Sequence, residues 1–128
     1  MTSEPQSITP GKFRMWRRPD GIVHLVWVAG SHITLEDATQ ATAAMEQLTG
    51  GQPAGLVVDA HNSSTMDRAA RMEFVRRVDL VRAVALVVTT PLSRLMGNFF
   101  IAINSPAAPT RLFDDDASAI AWLQGVVS

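Results

Sequence analysis

Between Asp59 and Arg71 the chain reads Asp-Ala-His-Asn-Ser-Ser-Thr-Met-Asp-Arg-Ala-Ala-Arg. A carboxylate, an imidazole and three adjacent hydroxyls fall within seven residues. Asp59, His61 and Ser63 are the right types for an acyl-transfer triad. That chemistry needs the base to reach the nucleophile while a third group orients it. Residues two apart on one short loop do not converge in that way, and no Gly-x-Ser-x-Gly elbow is present. The three histidines, His24, His32 and His61, show no metal-ligand spacing, and cysteine is absent. No metal, cofactor or catalytic residue is therefore assigned, and the chain reads as a non-enzyme. His24 reads as a half-exposed sheet residue and His32 as part of a loop. A simpler use for the hydroxyls is local: Ser64 or Thr65 caps a helix, and Ser63 sits in the turn before it.

The elements around that stretch can be read from periodicity. Phe13, Met15 and Arg17 alternate with Arg14, Trp16 and Arg18. Pro19-Asp20-Gly21 then makes a turn, and Ile22 to Val28 is β-branched and aromatic, giving an opening β-hairpin. Thr34, with Asp37 three residues on, forms a capping box for a helix carrying Leu35, Ala38, Ala41, Met45 and Leu48 inward. Gly50-Gly51 stops that helix; it follows a helix and lacks the Gly-Lys-Ser/Thr of a phosphate loop. Gly55 to Ala60 and Arg82 to Thr90 read as buried central strands. A second helix starts near Thr65, with Met66, Ala69, Ala70, Val75 and Val78 inward. A third follows Thr90-Pro91 and is the most amphipathic. Thr110 to Phe113 is a brief strand. Asp114 to Asp116 then open a last helix, where the dipole favours negative charge.

The order β-β-α-β-α-β-α-β-α implies one α/β domain. We expect a mixed sheet of four to five strands opened by a hairpin, right-handed crossovers in its parallel part, and about four packed helices. Residues 1–11 read as a flexible tail and residues 12–128 as the domain. The third helix carries more apolar surface than one inner face uses: Leu95, Met96, Phe99, Phe100, Ile101 and Ile103. Such surplus serves a core, a homodimer contact or the wall of an apolar ligand pocket.

Composition narrows the class. The chain of 128 residues is 47% hydrophobic and 18% charged, long enough to bury a core without disulfides. A net charge of -1 gives no pull toward nucleic acid or anionic lipid. The Arg-rich second helix is interspersed with Asp67, Glu73 and Asp79, which favours a solvated face or a protein contact over nucleic acid. No apolar run approaches the roughly 20 residues that span a bilayer, and no signal peptide is visible. A cytoplasmic location is expected.

The stretches Val57–Arg71, Val87–Phe100 and Asn104–Leu123, together with the order of elements, resemble the STAS domain of bacterial anti-sigma-factor antagonists. The resemblance is to a small, uncharacterised bacterial branch whose fold is related to CRAL-TRIO lipid carriers, and it covers about residues 21–123. It implies a regulatory protein-interaction module. In that family a phosphorylatable Ser or Thr sits at the strand-to-helix junction, within Asp-Ser-Ser/Thr-Gly. Here Ser63, Ser64 and Thr65 hold that place, with Asn62 and Met66 where the family keeps Asp and Gly. The implied partner surface comprises His61, Asn62, Ser63, Ser64, Thr65, Asp67, Arg68 and Arg71, for an unknown protein partner. The alternative is a carrier or sensor of a small apolar ligand held under the third helix, with Trp27 in the wall.

Overall fold

The structure is a computed structural model that describes residues 7–8, 11–59, 65–88 and 108–127. Its strands are β1 (Ser7–Ile8), β2 (Phe13–Arg17), β3 (Val23–Trp27), β4 (His32–Ile33), β5 (Ala54–Asp59), β6 (Thr65–Met66), β7 (Val81–Val87) and β8 (Thr110–Phe113). Its helices are α1 (Leu35–Thr49), α2 (Arg68–Arg76) and α3 (Asp116–Val127), with a 3-10 turn at Val78–Leu80. The main sheet runs β1-β2-β3-β5-β7-β8. β1 and β2 are antiparallel to their inner neighbours, whereas β3, β5, β7 and β8 are mutually parallel.

The expected four to five strands are β2, β3, β5, β7 and β8, with β5 and β7 in the interior as anticipated. The sixth, β1, comes from the stretch read as a tail. Ser7 and Ile8 pair with Trp16 and Met15, and sheet pairing of so short a segment leaves no periodicity to read. Among the described residues there are three α-helices rather than four. The stretch expected to form the remaining one, with Leu95, Met96, Phe99, Phe100, Ile101 and Ile103, lies outside them.

Local signals explain most boundaries. In the β2–β3 hairpin the Gly21 N–H donates to the Arg18 carbonyl at 2.9 Å, with Gly21 at φ 89, a conformation cheap only for glycine. The α1 capping box is present: the Thr34 N–H donates to Asp37 Oδ2 at 2.9 Å, and the Asp37 N–H donates back to Thr34 Oγ1. α1 ends at Gly50, whose φ of 66 is the left-handed stop.

The second helix departs from its expected start. Thr65 and Met66 form β6, paired in parallel with His32 and Ile33, and the cap is Asp67, whose Oδ1 accepts from the Ala70 N–H at 2.8 Å. With Thr65 and Met66 held as strand residues, Asp67 is the residue at the helix boundary, and its carboxylate accepts an orphan N–H of the first turn. This shift also turns the helix. Ala70 stays inward and Phe74 packs on the core, while Ala69 and Val75 are exposed. Leu35, expected inside, is exposed at the first turn of α1.

Helices cover both faces of the sheet, as a parallel sheet requires. On one face Phe13, Met15, Leu25 and Trp27 pack with Ala38, Ala41, Met45 and Leu48 of α1. On the other, Val57, Ala83, Ala85 and Val87 pack with Ala119 and Leu123 of α3. The period-2 alternation of β3, β5 and β7 divides these two cores.

Candidate functional site

On the α1 face the strands carry Leu25 and Trp27 (β3), Leu56 and Val58 (β5), and Val84 and Leu86 (β7). Leu56, Val58, Val84 and Leu86 belong to interior strands, yet they are only half-buried. The reason is a cavity of about 320 Å³ above them. Ala41 and Met45 of α1, Met66 of β6 and Phe74 of α2 supply its walls. The volume lies in the range of small-molecule sites.

The indole of Trp27 is held on two sides. Its ring lies 5.3 Å from that of Phe13 and 6.3 Å from that of Phe74, both edge-on. The polar lining is sparse and already committed. Thr42 Oγ1 donates to the Thr39 carbonyl and Thr110 Oγ1 to the Ala108 carbonyl, at 3.1 and 3.0 Å. The Arg77 guanidinium pairs with Glu46 and Asp79. The described lining residues include no carboxylate, imidazole or thiol. Such a wall solvates an apolar molecule.

Next to the cavity is a small polar ledge. The Thr65 N–H donates to the Ser31 carbonyl at 3.0 Å and the Asp67 N–H to the Ile33 carbonyl at 3.0 Å, which fixes β6 against β4. His32 Nδ1 and Thr65 Oγ1 are 2.8 Å apart, and His32 Nε2 is 4.0 Å from Asp67. His32, read as a loop residue, is thus a strand residue facing a hydroxyl. Of the surface assigned from sequence, Thr65 and Asp67 lie at this ledge and Arg68 and Arg71 follow in α2; His61, Asn62, Ser63 and Ser64 lie outside the described residues. Met66 points into the cavity while the neighbouring Thr65 is exposed, so a two-residue strand joins the pocket wall to the ledge.

The opposite face holds a second polar group. His24, expected to be half-exposed, is 6% exposed, and its Nε2 lies 2.6 Å from Oδ2 of Asp59, itself 5% exposed. Asp116, at the start of α3, places a second carboxylate 3.9 Å from the same nitrogen. The Trp16 ring covers the imidazole with centroids 4.4 Å apart. The sequence signal for this group was present: His24 and Asp59 interrupt otherwise apolar strand runs at same-face positions. The cavity floor had no such signal, because its residues read as ordinary core.

Similarity to other proteins agrees with this architecture. Residues 15–127 match the family described as "Domain of unknown function (DUF7793)", and the chain belongs to that family. An uncharacterised protein of the DUF3478 family from Shewanella loihica PV-4, with a SpoIIAA-like fold, superposes with a TM-score of 0.65 at 16% identity, over 96% of this chain and 98% of that one. The fold is therefore SpoIIAA-like, that of the STAS class. A protein of unknown function from Arthrobacter sp. FB24 matches at 29% identity over 85% of this chain and 90% of that one, with a TM-score of 0.34. No curated protein matches. No helix among the described residues is long and apolar enough to cross a membrane.

Proposed function

We propose that this member of the DUF7793 family is a non-enzymatic, STAS-like regulatory module of the cytoplasm whose input is a small apolar ligand. The apolar cavity between the sheet, α1 and α2 carries this reading. Burying apolar area is worth roughly 25 cal/mol per Å². A ligand seated on Leu56, Val58, Val84 and Leu86 therefore gains most of its affinity from covering side chains that the fold leaves half-open. Met66 conveys occupancy outward, because any displacement of it moves β6 and with it Thr65 and Asp67 on the ledge.

The test is native mass spectrometry of protein purified gently from its host, paired with analysis of an organic extract. Expected are a bound apolar mass and its loss in Val58→Trp, a variant that fills the floor. A clean apo mass together with an empty extract counts against the reading.

A second reading has its own support. Arg68, Met72, Val75 and Arg76 form an exposed face of α2, and Met72 and Val75 are large apolar residues left 49% and 36% exposed. With the adjacent Thr65 ledge this face suits a protein partner that has an acidic, apolar-cored surface. A Met72→Glu, Arg68→Glu double variant that captures the same host proteins as wild type removes this reading.

A further inference from the structure

The cluster on the α3 face belongs to neither reading above, and its chemistry differs from that of the cavity. Three elements distant in sequence deliver it: His24 from β3, Asp59 from the end of β5 and Asp116 from the start of α3. Each offers one ligand atom, and all three atoms lie within 4.8 Å of one another. We propose that His24, Asp59 and Asp116 bind a divalent first-row transition ion such as Zn²⁺ or Mn²⁺.

The donor set selects the class. One imidazole nitrogen and two carboxylate oxygens, with no sulfur, suit borderline and harder divalent ions. Ions of this kind hold nitrogen and oxygen ligands at about 2.0–2.2 Å, so their ligand atoms stand roughly 3–3.5 Å apart. The two separations at the His24 nitrogen, 2.6 Å and 3.9 Å, bracket that spacing, and side-chain adjustment draws the cluster, now within 4.8 Å, onto an ion.

Burial and exposure are divided as a binding site needs. His24 and Asp59 are buried and pre-positioned, and the Trp16 ring, with Arg14 over its face at 4.8 Å, restricts rotation of the imidazole. Asp116 is exposed, so one ligand of the site faces solvent. A purely structural ion pair is the competing account. It needs one carboxylate on the imidazole, whereas the α3 start brings a second one toward the same nitrogen.

The experiment uses untagged full-length protein, stripped with chelator and titrated with Zn²⁺ and with Mn²⁺ by calorimetry, with tryptophan emission read in parallel. Expected are one ion per chain, an emission change that Trp16→Phe removes, and weaker binding as pH falls, because protons compete for the ligands. Asp116→Asn, at an exposed position that does not threaten folding, should weaken binding roughly tenfold or more, since even outer-shell partners of metal ligands are worth about 10–100-fold. His24→Gln should abolish it. Circular dichroism accompanies each variant to confirm that it is folded. Absence of saturable binding by the folded wild type overturns the proposal. So does binding that Asp116→Asn leaves unchanged, or that His32→Gln removes, which marks an adventitious ion on the surface histidine.

Discussion

The two faces of the sheet are built from the same strands and end differently. Toward α3, the strands present Val57, Ala83 and Ala85, all fully buried, and Ala119 and Leu123 of the helix are equally closed off. Small side chains let the helix settle close, so these described residues are fully closed off, and the polar cluster lies at one end of the face. Toward α1 the strands present larger groups, among them Leu25, Trp27, Leu56 and Leu86. The apolar inner side of α1 is Ala38, Ala41, Ala44, Met45 and Leu48, and the helix packs against β2 and α2. Among the described residues, Met45 of α1 and Phe74 of α2 are the long helix side chains at this floor, and a cavity remains above β5 and β7. A full face stores stability, and an under-filled one stores binding capacity.

The largest expected effect tests this contrast directly. Leu123→Ala, on the full face, should cost about 2–5 kcal/mol in denaturant unfolding. Leu86→Ala, on the cavity floor, should cost less, about 1 kcal/mol, since this side chain is only half-buried and already borders a cavity. Equal losses would break the distinction between the faces.

Next in size is the polar end of the α3 face. Asp59→Ala leaves a buried imidazole without its 2.6 Å partner and should cost on the order of 1–3 kcal/mol. Asp59→Asn, which keeps the shape, should cost less. A loss below the error of the measurement would mean that the pair contributes nothing to the fold.

The smallest effect concerns how α1 is anchored over the cavity. The hydrogen bond from the Lys12 ammonium, and then the Thr34 backbone N–H, hold the Asp37 carboxyl below the usual carboxylate range. Asp37→Ala should cost about 1 kcal/mol at neutral pH, the worth of a cap. A group depressed in the folded state stabilises above its unfolded pKa, about 3.9, and loses that stability as pH falls through the folded value. The gap between wild type and Asp37→Ala should therefore close in acid below about pH 4. A gap that persists there would assign it to lost packing instead of charge.

Much of the scaffold was legible. The alternation of Phe13 to Arg18, the Pro19-Asp20-Gly21 turn, the Thr34/Asp37 box and the Gly50 stop each act within a few residues, and each appears as expected. The start of α2 was misread because Ser64, Thr65 and Asp67 are all competent caps. The choice fell to Asp67 once β6 had paired with β4, an interaction between residues 33 apart. β1 was missed for the same reason, as a two-residue strand exists only through its partner.

The candidate sites divide along the same line. The hydroxyl stretch could be located from its residue types, and Thr65 does lie beside the ledge, but its bond to His32 needed the fold. His24 and Asp59 were visible as polar interruptions of apolar strands. That they meet, with Asp116 beside them, follows from a parallel register and from the packing of α3. Local hydrogen-bonding competence and hydrophobic period act over short distances, so the sequence by itself determined the longer strands, the first and last helices, the hairpin and the α1 cap. Cavity and cluster depend on how closely helices approach a sheet and which distant side chains share a face, so only the tertiary structure decided them.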